Sequence, residues 1–191
     1  MEKDKLINII NKALVNVSYT MKNHLGVDFI MKSRFKFEKW FQVELLKEFI
    51  VIIDTHIELK IKNEYPVSTK ISKKGETIDL VILENSTKLA AIELKIVPTN
   101  YAAVGFVKST KAITDTIEEM ISDLKKGVND NYKYSFSIGF IFPFPIDPNH
   151  RNNIKDFIKQ ANKLKTVGKL YTIDCQLSSA FNSRYYILTN E

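Results

Sequence analysis

Two short apolar runs, "TIDLVIL" (77–83) and "LAAIELKIV" (89–97), constrain this chain more than any other feature. Each is too short for a typical helix and is rich in β-branched residues, the composition of a buried strand. The polar stretch "ENSTK" separates them, so the pair reads as a β-hairpin with a loop of several residues. In a strand, residues two apart share a face. Glu93 and Lys95 therefore point one way, while Ile92, Leu94 and Ile96 point the other. The apolar side packs on a helix, which leaves a carboxylate and an ammonium on the opposite side. Asp79, between Ile78 and Leu80 in the partner strand, converges on the same edge. Charges set in mostly apolar strands need partners or a metal, because burying them alone is costly.

The elements around the hairpin follow from periodicity. Apolar positions Leu6, Ile9, Ile10, Leu14, Val15 and Val17 predict an amphipathic helix over about 4–23, with Gly26 as a stop beyond it. Phe37, Trp40, Phe41, Glu44, Leu45 and Glu48 recur at helical spacing and predict a second helix over about 36–50. "HIELKIK" (56–62) alternates as a strand does. A third helix fits about 109–126, ending at Gly127, with Ile113, Ile117, Met120, Ile121 and Leu124 on one stripe. "YSFSIGFIFPF" has strand composition and is stopped by Pro143 and Pro145. A helix over about 149–165 and strands at 169–174 and 184–189 complete the chain. The order α-α-β-β-β-α-β-α-β-β predicts one mixed α/β domain over 1–191, with a central sheet flanked by helices. At 191 residues, 45% of them hydrophobic and 26% charged, the chain can bury a sizeable core.

Charge and cysteine content narrow the function classes. The formal net charge of +6 favours a polyanionic partner, though a lysine-rich solvated surface explains it equally well. The arginines are Arg34, Arg151 and Arg184. Lysine acts as a point charge towards phosphate, whereas guanine edges are read by arginine, so extensive base readout is not indicated. The one cysteine, Cys175, excludes an internal disulfide and a cysteine-based zinc site. The opening "MEKDKLINII" lacks the apolar core of a signal peptide, and no stretch approaches the roughly 18 apolar residues of a membrane span. A cytoplasmic location without membrane insertion is the expectation.

Two carboxylates beside a lysine suit phosphodiester hydrolysis. Magnesium prefers oxygen ligands, keeps several waters and needs only one or two carboxylates plus substrate phosphate. It polarises a phosphoryl oxygen and lowers the pKa of a bound water. A neighbouring lysine can orient or deprotonate the attacking water and offset charge in the transition state.

At this point "TIDLVILENSTKLAAIELK" resembles the core of PD-(D/E)XK nucleases, the restriction-endonuclease-like superfamily. By that resemblance Asp79 matches the motif aspartate, Glu93 the second acid and Lys95 the lysine. The resemblance further implies Mg²⁺ or Mn²⁺ held by Asp79, Glu93 and the main-chain carbonyl of Leu94. It also implies a glutamate on the preceding helix that faces the site, for which Glu44 in "WFQVELL" is the match. Gln42 lies on a different helical face. The superfamily core, α-β-β-β-α-β, corresponds to about 36–142. The activity implied is metal-dependent cleavage of DNA, in restriction, repair or defence. Ile78 stands where the eponymous proline would be. No separate target-recognition domain is evident, so a sequence-specific enzyme would read bases through its terminal extensions or as a homodimer.

Other readings stand beside these. Glu93 and Lys95 could form a solvated cross-strand ion pair, Asp79 could pair structurally with a lysine, and Glu44 could be an ordinary surface glutamate. "IELK" occurs twice, and Glu58 and Lys60 in the first copy lack a preceding strand that carries an aspartate. The first copy therefore reads as a surface strand. Lys108 and Lys111 at the start of the third helix suit either phosphate or plain solvation. Lys125 and Lys126 in "DLKKG" complement a helix dipole. Phe140, Phe142 and Phe144 alternate, as core residues do. His24, His56 and His150 are scattered. A nuclease-fold protein that binds nucleic acid or a protein without hydrolysing it is the alternative function.

Overall fold

The computed structural model describes residues 1–23, 37–56, 58–66, 76–99, 113–144, 170–176 and 182–190. Among these residues the elements are α1 (Lys3–Asn23), α2 (Phe37–Ile53), β1 (Leu59–Pro66), β2 (Thr77–Glu84), β3 (Thr87–Pro98), α3 (Ile113–Asn129), β4 (Tyr134–Phe144), β5 (Leu170–Gln176) and β6 (Asn182–Thr189). The strands form one six-stranded sheet in the order β1-β2-β3-β4-β6-β5. The pairs β1–β2, β2–β3, β4–β6 and β5–β6 are antiparallel, and β3–β4 is parallel. A parallel pair needs a long crossover, and α3 lies within the one between β3 and β4. The mixed α/β class expected from the sequence is therefore present.

Strand alternation divides the sheet into two faces. From β3, Ala90, Ile92 and Leu94 join Phe136, Ile138, Phe140 and Phe142 of β4 in the main core. The same cluster holds Leu6, Ile10, Leu14 and Val17 of α1 with Phe37, Phe41, Leu45 and Phe49 of α2. An aromatic stack seals this layer: Phe140 lies 5.4 Å from Phe37, 5.7 Å from Phe41 and 4.9 Å from Tyr185, centroid to centroid. Phe140 and Phe142 are thus core residues, as their alternation predicts.

The odd-numbered positions of β3 and β4 turn to the other face, where α3 packs. Its approach is close because the sheet is built of small residues there. A Cβ on Gly139 would meet the Met120 side chain at 2.8 Å, and one on Gly127 would meet Ser135 Oγ at 2.5 Å and Ala91 Cβ at 2.6 Å. Gly127 does not end the helix, as expected, but lies inside it and lets it sit against the sheet. The helix instead runs to Asn129, and the following Asn131 takes a left-handed φ of 61°.

Three further expectations shift. The hairpin turns on two residues, Asn85 and Ser86, with φ of 47° and 67°. Positive φ at both positions matches the right-handed twist of the strands, so the longer loop is unnecessary. The first strand begins at Leu59, three residues later than alternation suggested. Pro143 does not terminate β4; the strand continues to Phe144 across a register shift against β6 between Ile141 and Phe144. The expected helix over 149–165, Gly26, Lys108 and Lys111 fall outside the described residues. No described helix is long and apolar enough to cross a membrane.

Candidate functional site

The β2–β3 ladder opens where the acidic residues lie. Paired residues run from Glu84↔Thr87 up to Leu80↔Ile92 and stop there. Beyond that point β2 stays with β1 as far as Pro66↔Thr77, while β3 stays with β4 as far as Pro98↔Phe142. The two strands fork, and Asp79 and Glu93 are the first residues past the last pair. A fork leaves backbone donors and acceptors without ladder partners, which is costly unless side chains replace them.

Polar side chains replace three of those bonds. The Leu94 N–H donates to Asp79 Oδ2 at 2.9 Å. Gln42 Nε2 donates to the main-chain carbonyl of Asp79 at 2.9 Å, and Lys39 Nζ donates to Gln42 Oε1 at 3.1 Å. Glu38 accepts from the backbone N–H of Ile96. Asp79 is therefore gripped at both side chain and main chain.

Helix α3 closes the far side. Glu93 and Lys95 share the odd face of β3 and so meet this helix rather than open solvent, a difference from the exposed face expected for them. Lys126 Nζ lies 3.1 Å from Glu93 Oε1 and 2.9 Å from Asp123 Oδ1. Lys95 Nζ lies 3.3 Å from Asp123 Oδ2 and 3.8 Å from Glu119 Oε2. Asp123 bridges both lysines, one oxygen to each. Glu93 and Asp123 are only 5% and 6% exposed, which makes these buried charges rather than a solvated pair.

The electrostatics favour a cation. Burial, reinforced by the charge of Asp79, pushes the Glu93 carboxyl up to about 8, against the opposing pull of Lys126. Glu38 is raised as well, chiefly by burial, with Lys95 opposing and Asp79 adding to the rise. Burial works against the Lys95 charge, yet Asp123, Glu38 and Glu119 outweigh it and raise its pKa. Lys95 is accordingly a fixed cation at neutral pH. It can orient a water or stabilise charge, but in this state it is no general base.

The sequence-derived residues are brought together unequally. Asp79, Glu93, Leu94 and Lys95 meet in the fork. Glu44 does not: it lies two residues, about 200°, around α2 from Gln42, which touches Asp79. Glu44 shares a stripe with Glu48, which accepts from Asn16 of α1, and pairs with Lys47 at 3.5 Å. The helix acid at the site is Glu38, one turn before Gln42. Gln42, set aside on helical-face grounds, is the residue that reaches Asp79. The i,i+4 spacing of Glu38 and Gln42, two polar residues on an aromatic helix, was the available signal. Lys126 also does more than complement a helix dipole. Glu119, Asp123 and Lys126 carry only the ordinary polar spacing of a helix surface, and nothing local marks them.

Among the described residues, no three His, Cys, Asp or Glu side chains gather into a group that could hold a metal. Asp79 and Glu93 instead offer two oxygen donors at an opening in the sheet. That donor set fits magnesium, which takes one or two carboxylates and completes its shell with water and phosphate. It does not fit a closed structural zinc site. No family model, curated protein or solved structure matches this chain.

Proposed function

We propose that this protein is a metal-dependent nuclease of the PD-(D/E)XK type that hydrolyses DNA. The observation that carries the reading is the fork, at which Asp79 and Glu93 come together with Lys95 two residues on. The element order α2-β1-β2-β3-α3-β4, antiparallel through β3 and then parallel, supports the same reading, because it follows the superfamily order. Asp79 and Glu93, with the Leu94 carbonyl, would hold Mg²⁺ or Mn²⁺. Such an ion supplies Lewis-acid polarisation and a more acidic bound water.

The chain's own residues have separable tasks. The Leu94 N–H holds the Asp79 carboxylate and Gln42 holds the main-chain carbonyl of Asp79, so the side chain's orientation is set before substrate arrives. Burial pushes the Glu93 carboxyl up to about 8, so it would have to give up a proton to serve as a ligand, since metal binding requires the deprotonated carboxylate. Lys95 places a positive charge beside the carboxylates, where it would face the phosphate. Lys39 extends positive charge to the α2 side of the opening. The net charge of +6 suits a polyanion approaching this surface.

A second reading rests on the ion pairs themselves. Lys95 and Lys126 are both engaged by Asp123, as they would be in a nuclease-fold binding protein that no longer hydrolyses. Incubation of the protein with linear, circular and single-stranded DNA, with Mg²⁺ or Mn²⁺ or with chelator, separates the two. Metal-dependent cleavage abolished by Asp79→Ala supports the enzyme. Binding without cleavage, with affinity falling steeply as salt rises, supports the binder. No binding at low salt removes DNA from both.

A further inference from the structure

The fork already contains a cation of its own. Lys126, on α3, places its ammonium 3.1 Å from Glu93 Oε1, the same carboxylate assigned to the metal. It is held there by Asp123, 2.9 Å away and one helical turn earlier. Asp123 is buried, 6% exposed as a residue, and its carboxylate also touches Lys95 at 3.3 Å, so its position is set from two sides. A buried carboxylate such as Glu93 cannot stay ionised without a positive partner. When Glu93 is ionised and no metal is bound, Lys126 is that partner.

We propose that Lys126 is an internal counter-cation that competes with the divalent ion for Glu93, so that the Asp123–Lys126 pair sets the metal affinity of the fork. The proposal rests on the nuclease-type metal reading above and adds a regulator to it. When a divalent ion takes Glu93, the ammonium is released from that carboxylate but stays tethered to Asp123. It is then available at the edge of the site for a phosphate oxygen. Lys126 is a positioning and competing residue, with no bond made or broken on it.

Two like-signed charges within a few ångströms of one carboxylate repel strongly, even with the screening of a partly solvated site. Removal of one should therefore favour the other. The experiment is Mn²⁺ titration by calorimetry, on intact protein without DNA, at pH 9, where a proton competes least for Glu93. Lys126→Met, which keeps an unbranched side chain without charge, should bind Mn²⁺ about tenfold more tightly than wild type. Lys126→Arg keeps the charge and should stay within about twofold of wild type. Lys125→Met removes the same charge from the exposed neighbouring position and should change little, which separates local competition from a general change in field. Thermal melts without metal supply a second readout: Lys126→Met should melt lower than wild type and recover more on Mn²⁺ addition.

Equal or weaker Mn²⁺ binding by Lys126→Met overturns the competition, as does an equal gain in Lys125→Met. If Lys126→Met does not fold, Lys126→Gln carries the same expectation. Failure of the underlying metal reading looks different: wild type binds no Mn²⁺, or Glu93→Ala binds it as well as wild type.

Discussion

The tetrapeptide "IELK" occurs at 57–60 and again at 92–95, and the structure treats the two copies in opposite ways. In the second, Glu93 and Lys95 sit on a central strand between β2 and β4, beneath α3, with Glu93 only 5% exposed. In the first, Glu58 lies in the turn before β1, with its side chain 41% exposed and His56 at 3.8 Å. Lys60 is exposed on β1, an end strand of the sheet. Local sequence is the same, but the central strand carries its charges against α3, whereas the turn before β1 and the end strand itself leave Glu58 and Lys60 to water. Burial makes the difference, since it raises the proton affinity of Glu93 and demands partners for it, whereas exposed charges interact weakly.

The largest contrast should appear in metal-dependent cleavage. Glu93→Ala should lose Mn²⁺ binding and cleavage together, and Lys95→Ala should keep the metal yet cleave about 10²–10³-fold more slowly, the usual effect of losing one group that stabilises transition-state charge. Glu58→Ala and Lys60→Ala should stay within about twofold of wild type, as surface changes do. Rates at matched folded concentration decide it. If Glu58→Ala were as damaging as Glu93→Ala, the site would lie on the wrong strand.

Stability against pH is the next largest effect. The Glu93 carboxyl ionises near 8 in the fold and near 4.5 when unfolded, so the native state holds a proton that the unfolded chain has released. That contribution is complete below about pH 4.5 and is lost as pH rises through about 8. Glu93→Gln, neutral at every pH, should therefore melt higher than metal-free wild type by about 5 °C or more at pH 9. The gain should vanish at pH 4. Lys126 keeps Asp123 as its partner in this variant. Thermal melts of wild type and Glu93→Gln at the two pH values decide it: the same difference at pH 4 and pH 9 would mean that Glu93 does not hold its proton more tightly in the fold.

A smaller effect distinguishes the acids of α2. Glu38→Gln should weaken Mn²⁺ binding or cleavage about 10-fold, the usual effect of losing a group that supports ligands. Glu44→Gln, at a residue that pairs with Lys47 on its own helix, should leave both unchanged. The reverse pattern would restore Glu44 to the site and mean that α2 is turned about its axis by roughly 240°, the angle that separates Glu38 from Glu44.

Much of this architecture is legible locally. Strand runs at 77–83 and 89–97, the stripes of α1, α2 and α3, and the strand "YSFSIGFIFPF" are each written in patterns of two or three to four residues. Such periodicities need no knowledge of what lies opposite. Asp79, Glu93 and Lys95 could be picked out for the same reason: charges in apolar strands conflict with the local pattern, and conflicts of that kind occur at functional or strained positions. Boundaries were less legible where a single residue does two jobs. Gly127 has the composition of a helix stop, but its missing side chain serves the contact with Ser135 and Ala91.

What the sequence by itself determined is the set of elements and the acidic hairpin. Tertiary structure alone decided where the hairpin opens, and therefore which backbone groups needed new partners. The partners come from far along the chain: Gln42 reaches Asp79 across 37 residues, and Lys126 reaches Glu93 across 33. No short-range pattern encodes such separations, because they depend on how α2 and α3 are laid over the two faces of the sheet. Glu38 lies at the fork and Glu44 does not because packing of Phe37, Phe41 and Leu45 into the core sets the rotation of α2. Lys126 carries the same charge as Lys125, and only the docking of α3 against the small residues of β3 and β4 turned one of them towards Glu93.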